Sequence, residues 1–372
     1  MSTKIAIMGD EHLGNKQYGL EERELDFRRV FIAVVQHCID AKVRALVIPG
    51  DLYNMARPSG ELVFFVKSMV RKLRDSLIQV FGISGNHDVG CDYWLQLTDI
   101  VPLNNTCKEA GIVGVVGSMG VSLSGLNWTR PNMFYSELAK LVAYLRSVNV
   151  KHVDYFVFHQ LFDEFIPYQT GLITATGTMG IIREFTPKAV ICGDLHESVQ
   201  MEFNGVPFIY TGSTELNKMN EPEAKYLIIL DDKKVTRIPL VTRPFIRKYI
   251  QTEQDLDGLL ATYPRETDKM PMLLLEYDNE AKELAKRAGT VLKENNALFR
   301  LLPIVNANSK SILAQLTHDA DVSRSGTIGY LKKAVESCFD TKSDEYQLIF
   351  QLLSSPDDLY DIIMNYAKTK NL

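Results

Sequence analysis

Short, largely apolar runs punctuate the first two hundred positions: KIAIM (4–8), ALVIP (45–49), VFGIS (80–84), YFVF (155–158) and AVIC (189–192). Continuous apolar runs of this length read as strands buried on both faces of a sheet. Between them the period lengthens. Leu25, Phe27, Val30, Phe31, Val34, Val35 and Cys38 form one helical stripe after the polar GLEERE stretch, and Leu62, Phe65, Val66, Met69 and Leu73 form another over about 59–74. The alternation restarts with IVGVV (112–116) and VSLSGL (121–126) as strands, and Met133 to Arg146 as a helix. Two βαβ halves facing each other predict a four-layer α/β sandwich. From 199 to 241 the pattern turns to VQMEF, VPFIY, KYLIIL and KVTRIPLV, with turn signals at Asn204-Gly205 and Asp231-Asp232. These predict an antiparallel extension that closes the domain.

Pro244 marks a boundary. Residues 246–306 read strand, helix, strand, helix, strand, a small α/β module, and from Ser309 onward no strand pattern remains. In the last part Asp344–Leu353 and Pro356–Tyr366 carry apolar residues at helical spacing around an SSPDD break. The pattern leaves open whether that pair is core or a docking element. A chain of 372 residues exceeds a single core, and the predicted division is 1–245, 246–306 and 307–372. No apolar run approaches the ~18 residues of a membrane helix, and KIAIMG is too short for a signal-peptide core. Five cysteines without a C-x-x-C predict reduced thiols and a cytoplasmic location. A net charge of −5 argues against bulk electrostatic binding of nucleic acid but leaves room for a local basic groove.

The strand-like runs share one property: each ends in metal-type ligands. Asp10 and His12 follow the first, Asp51 the second, Asn86 and His87 the third, His159 the fourth, and Asp194 and His196 the fifth. Groups just past the carboxyl ends of such strands converge on one edge of the sheet. Asp10 and His12, two apart on an extended segment, would point the same way, and Asp51 could bridge two ions. A mixed N/O donor set without thiolate suits Mn²⁺, Mg²⁺ or Fe, with Zn²⁺ possible but less favoured. Two ions roughly 3.5–4 Å apart clamp the attacking and leaving oxygens of a phosphoester displacement. His87, beside a ligand and followed by Asp88 as its orienting partner, is the candidate general acid. Glu11 is expected to face solvent or backbone, Cys192 to pack, and His37, His152 and His318 to be structural.

The ordered set D-x-H, G-D, G-N-H-D, H-Q and G-x-x-H resembles the calcineurin-like metallophosphoesterase superfamily. Several stretches narrow the resemblance to the SbcD and Mre-type nuclease subunits of DNA double-strand-break repair complexes. They are His12-Leu13-Gly14 continuing to Gln17-Tyr18-Gly19-Leu20-Glu21-Glu22-Arg23, then Arg57-Pro58-Ser59, Tyr210-Thr211-Gly212-Ser213 and Arg243-Pro244-Phe245. The resemblance implies that Asp10, His12, Asp51 and His196 hold one Mn²⁺, that Asp51, Asn86, His159 and Asp194 hold the other, and that His87 is the acid. It further implies a DNA-binding cap at 246–306 and C-terminal helices that dock the coiled coil of an SbcC/Rad-type SMC-like ATPase. A homodimer through helices near Tyr93 and Trp94 is expected, as is action on DNA ends, hairpins and single strands in the cytoplasm, nucleoid-associated, or in a host's cytoplasm for a viral chain. Asn54, Tyr18 and Arg57 stand where DNA would be positioned. Two positions depart from the family: Asp194 and Asn54 both replace histidines. The expected function is a Mn²⁺-dependent 3′→5′ exonuclease and single-strand endonuclease. The rivals are another phosphoesterase of the fold and a nuclease-weak scaffold that binds DNA ends.

Overall fold

Alternation within the first strand sets the layers. In the computed structural model, which describes residues 4–303 apart from 91, 104–113, 117–120, 168–169, 219–220, 233, 264–269 and 279, Ile5 and Ile7 face one core while Ala6 and Met8 face another. The first half alternates β1 (Ile5–Ile7), α1 (Glu21–Asp40), β2 (Ala45–Pro49), α2 (Gly60–Asp75), β3 (Gln79–Ile83), α3 (Asp92–Leu97) and β4 (Val101–Pro102). The second half brings β5 (Gly114–Val116), β6 (Val121–Leu126), α4 (Phe134–Ser147), β7 (Tyr155–His159), α5 (Ala175–Ile182) and β8 (Ala189–Gly193). Four further strands follow: β9 (Gln200–Phe203), β10 (Val206–Tyr210), β11 (Lys225–Asp231) and β12 (Lys234–Leu240).

Two six-stranded sheets result, ordered β12-β11-β1-β2-β3-β4 and β5-β6-β7-β8-β10-β9. Ile5, Ile7, Val47, Phe81 and Ile83 of the first meet Leu123, Tyr155, Val157 and Ile191 of the second in a shared core. The outer face of the first sheet packs Ala6, Leu46 and Ile48 under Phe27, Val34, Val66 and Leu73 of α1 and α2. On the outer face of the second, Phe158 meets Phe134 of α4 and Phe162 edge-on, with ring centroids 5.5 and 6.5 Å apart. This is the four-layer α/β sandwich the periodicity predicts.

The expected antiparallel extension is corrected in one respect: its four strands do not stay together. β10 runs parallel to β8 and carries β9 antiparallel at its edge, whereas β11 and β12 add antiparallel to β1 on the other sheet. Ile209 enters the shared core from one side, and Ile228 and Leu230 enter it from the other. Each sheet thereby completes its own apolar face.

Beyond the sandwich, β13 (Phe245–Tyr249), α6 (Glu253–Thr262), β14 (Met272–Tyr277), α7 (Lys282–Glu294) and β15 (Phe299–Pro303) form a three-stranded parallel sheet with a separate core around Leu256, Leu273, Leu275 and Leu292. Its entry is pinned by buried charge. Arg243 donates to Asp26 at 2.5 and 2.7 Å and to the Met270 carbonyl, and Arg23 reaches Asp26 at 2.7 Å and Glu215 at 3.3 Å. Breaking such a buried set by removing one member typically costs about 3–5 kcal/mol.

Residues 163–172 belong to a second unit. Of its described part, Asp163 accepts from the Thr170 and Gly171 backbone N–H groups at 3.0 and 2.6 Å. The expected docking helices at 344–366 and His318 lie outside the described residues. Within the described residues no helix is long and apolar enough to cross a membrane.

Candidate metal centre

All five strands that the apolar runs marked point their carboxyl ends at one place. β1 delivers Asp10 and His12, β2 Asp51, β3 Asn86 and His87, β7 His159 as its last residue, and β8 Asp194 and His196. The loops bond to one another: the His12 N–H donates to the Asp51 carbonyl at 3.0 Å, and the Asp194 N–H to Asp10 Oδ1 at 3.0 Å. The backbone is forced at the donors. Asp10, His12, Asp51 and Asp194 have φ of 55°, 45°, 51° and 84°, left-handed values that cost a non-glycine residue roughly 1–3 kcal/mol each. The expectation that Asp10 and His12 lie on an extended segment is therefore corrected: the chain coils left-handed there, and the coil still aims both side chains inward. Gly50 and Gly85 are needed for the approach, since a Cβ on the first would strike the His159 ring and one on the second the Asp51 carboxylate.

Three sets of donor atoms lie within 4.8 Å of one another: Asp10, His12 and His196; His12, Asp51 and His87; Asp10, Asp51 and His159. Asp51 Oδ2 stands 3.7 Å from His12 Nε2 and 3.4 Å from His159 Nε2. His12 Nε2 and His196 Nε2 face each other at 3.2 Å, and Asn86 Oδ1 lies 3.0 Å from His159 Nε2. The Asp194 carboxylate is in none of these sets, although its backbone is tied to Asp10. Asp10, Asp51 and His159 are 1% exposed or less, and Asp10 Oδ2 has no hydrogen-bond partner. Facing imidazole nitrogens and an orphaned buried carboxylate oxygen are stable together when a cation sits among them. The residues fit a divalent metal.

The field within the site is divided. Burial pushes Asp10 up to about 6, against the pull of His159 and His196. Burial acts the same way on Asp51, but His159, His12 and His87 outweigh it and hold this carboxyl well below the ordinary range. For His159, burial works against the charged ring and Asp51 prevails, so it is raised. Burial leaves His12 well below its usual value and Asp194 above its own.

Two expectations about neighbours are corrected. Asp88 does not orient His87: its carboxylate accepts from the Gly85 N–H at 2.6 Å and the Tyr53 N–H at 3.3 Å, which holds the turn itself. His87 Nδ1 lies instead 3.3 Å from the Asn54 carbonyl, while its N–H donates to Asp51 Oδ1 at 2.9 Å. Of the two surroundings expected for Glu11, solvent is overturned and the backbone is not: it is 1% exposed, and its own backbone acts on the buried carboxylate. His159 is oriented by the Pro49 carbonyl, 2.7 Å from Nδ1. Glu221, 25 positions from His196, meets that ring at 2.5 Å, and no spacing in the sequence marks it. Of the remaining candidates, Tyr18 sits at φ 61° under the Arg300 guanidinium, 6.0 Å from its ring centroid, and Arg57 is exposed.

A stability consequence follows for metal-free protein between pH 6.5 and 8. Asp88 is pushed up to about 7 by burial, and the Asp51 and Glu221 carboxylates raise His159 and His196 against burial. Groups raised in the folded state stabilise it below their unfolded values, and that contribution is lost as pH rises through the folded ones. His12, held neutral, has its contribution already in place above 6.5. The melting temperature of chelated protein should therefore fall by a few degrees from pH 6.5 to 8, and saturating Mn²⁺ should restore more at pH 8 than at 6.5. Thermal melts across that range with and without Mn²⁺ check both signs.

A model of calcineurin-like phosphoesterases matches residues 3–198. Among curated proteins, the chain is similar to the DNA double-strand break repair protein Mre11 of Methanosarcina mazei, at 27% identity over 300 residues, 75% of this chain and 45% of that one. It is also similar to the protein of the same name from Haloferax volcanii, at 29% identity over 259 residues, 65% and 53% of the two chains. The chain thus spans about half the length of these relatives. A solved structure, TT1561 of Thermus thermophilus, covers 64% of this chain and 99% of its own at 12% identity and a TM-score of 0.43. That likeness is too loose to bear on function.

Proposed function

The chain belongs to the calcineurin-like phosphoesterase family, and from that premise we propose that it is a Mn²⁺-dependent DNA nuclease, both 3′→5′ exonuclease and single-strand or hairpin endonuclease. The observation that carries the phosphoesterase part is the convergence of Asp10, His12, Asp51, His87, His159 and His196 within 4.8 Å groupings at the strand ends. Asp10, His12, Asp51 and His196 would hold one ion, and Asp51, Asn86, His159 and Asp194 the other. Bound divalent ions supply charge neutralisation and polarisation at the phosphoryl group. His87, partly exposed where the other imidazoles of β1 and β7 are buried, would give a proton to the leaving oxygen.

DNA as the substrate is supported by the likeness to archaeal Mre11 proteins, whose name specifies double-strand break repair. Local chemistry agrees with it. Arg300, over the Tyr18 ring, places a cationic group on the sheet that follows the sandwich, where phosphates would be met; half-exposed Arg247 on the same sheet is ion-paired with Glu276 at 3.4 Å. We assign residues 246–306 to a DNA-binding cap and 307–372 to docking an SMC-like ATPase on the family resemblance. A homodimer is supported by exposed aromatics, Phe64 on α2 at 74% and Tyr93 on α3 at 63%; a dimer mass by light scattering at micromolar concentration checks it.

End-labelled duplex and hairpin DNA, a cyclic nucleotide and a phosphopeptide, each offered with Mn²⁺, test the reading. Cleavage of DNA alone is expected, and preference for either other substrate contradicts it. Asp194, a carboxylate outside the tight donor sets, favours the rival scaffold reading. On the nuclease reading, Asp194→His should tighten the second ion and move the alkaline limb of the pH–rate profile downward, because a neutral ligand leaves more of the ions' field unscreened. An unchanged profile and metal dependence would make Asp194 a bystander.

A further inference from the structure

His196 is the most exposed of the imidazoles in the first donor set, with 17% of its side chain accessible against 3% for His12. Packing alone holds it least. A carboxylate from the loop after β10 compensates. Glu221 Oε1 lies 2.5 Å from His196 Nδ1, and Oε2 accepts from Lys225 Nζ at 2.7 Å, from Ser213 Oγ at 3.1 Å and from the Asn217 N–H at 3.1 Å. Lys225, its side chain 1% exposed, also donates to Ser213 Oγ at 2.7 Å and to the His196 carbonyl at 3.2 Å. One ammonium therefore grips both the carboxylate and the backbone of the histidine that the carboxylate meets.

An ionised carboxylate only accepts hydrogen bonds, so His196 must donate from Nδ1, and in the neutral ring the lone pair is then on Nε2. That nitrogen is the one facing His12 Nε2 at 3.2 Å and Asp10 Oδ1 at 3.9 Å. The other imidazoles are held differently. His159 Nδ1 meets a neutral carbonyl at Pro49, His87 Nδ1 meets that of Asn54, and His12 Nδ1 is buried without a partner. We propose that Glu221, clamped by Lys225, is a positioning residue that fixes His196 as an Nε2 donor to the divalent cation. A carboxylate behind a ligating imidazole sets the ring's tautomer and raises its donor strength. The inference rests on the reading that His196 is a ligand.

The test measures Mn²⁺ affinity by calorimetry on the full chain, together with the imidazole tautomers of the metal-free protein by long-range ¹H–¹⁵N correlation. His196→Ala and Glu221→Ala should each weaken one ion, the latter about 10–100-fold. Glu221→Gln, which keeps the size and one acceptor oxygen, should weaken it less. At alkaline pH, where the ring is neutral, His196 should show the Nδ1–H form alone in the wild type and a mixture in Glu221→Ala. If His196→Ala leaves Mn²⁺ binding unchanged, the ligand reading itself falls and the inference with it. If His196→Ala weakens binding while both Glu221 variants bind as the wild type does and His196 stays in the Nδ1–H form, the ligand reading stands and the positioning role is overturned. Should Glu221→Ala not fold, wild-type affinity in Glu221→Gln overturns it.

Discussion

Asp51→Ala is expected to abolish tight Mn²⁺ binding and cleavage together. Asp51 is a member of two of the three donor sets, its Oδ2 standing between His12 and His159 while its Oδ1 holds the His87 N–H. Removing it disconnects both sides of the site and leaves His159, raised chiefly by this carboxylate against burial, without its main charge partner. Loss of a single preorganised electrostatic group at a reacting centre already costs about 10²–10³ in rate, so a group serving two ions should cost more. Calorimetry and a labelled-DNA cleavage assay on the same preparation check the pair of effects. Asp51→Asn keeps the volume but not the charge and should fail in the same way. Cleavage by either variant within about tenfold of the wild type would mean that Asp51 is not the shared ligand.

His87→Ala should separate the two effects that Asp51→Ala joins. The ring is partly exposed and stacks edge-on to His12 with centroids 4.6 Å apart, yet its backbone N–H, not its side chain, holds Asp51. Truncation to alanine leaves that N–H in place. Cleavage is expected to fall about 10²–10⁴-fold, the contribution of a positioned general acid, while DNA binding persists and Mn²⁺ affinity changes little. A substrate whose leaving group needs no proton, such as a nitrophenyl phosphodiester, should recover much of the rate. His87 also lies within ligand distance of Asp51 and His12. If Mn²⁺ binding is lost along with cleavage, and the activated substrate is not rescued, His87 holds metal instead of supplying a proton.

Much of this site can be read from strand ends. A run such as ALVIP can be buried on both faces only in the middle of a sheet, and a glycine followed by a ligand at its carboxyl end can only belong to the edge where the other runs also stop. Five such runs locate the donors without knowledge of any contact. The helices follow from their stripes in the same way, with Ser59 capping α2 through its side chain at the Leu62 N–H.

What the pattern misses has physical reasons. β10 and β11 are equally apolar, and nothing in an apolar run says which of two sheets it completes. Asp88 looks like a partner for His87 because it is adjacent, but a short carboxylate in a tight turn finds backbone N–H groups nearer than a neighbouring ring. Glu221 reaches His196 across a loop whose length carries no periodicity. The left-handed conformations of Asp10, His12 and Asp51 are imposed by contacts between loops, which no local propensity encodes.

If these strand ends hold two divalent ions, anomalous diffraction at the manganese edge from crystals soaked in Mn²⁺ will show both. Two peaks are expected, one bounded by Asp10, His12, Asp51 and His196, the other by Asp51, Asn86, His159 and Asp194. A map without peaks among these residues, or with manganese bound only elsewhere on the chain, would contradict the two-ion site.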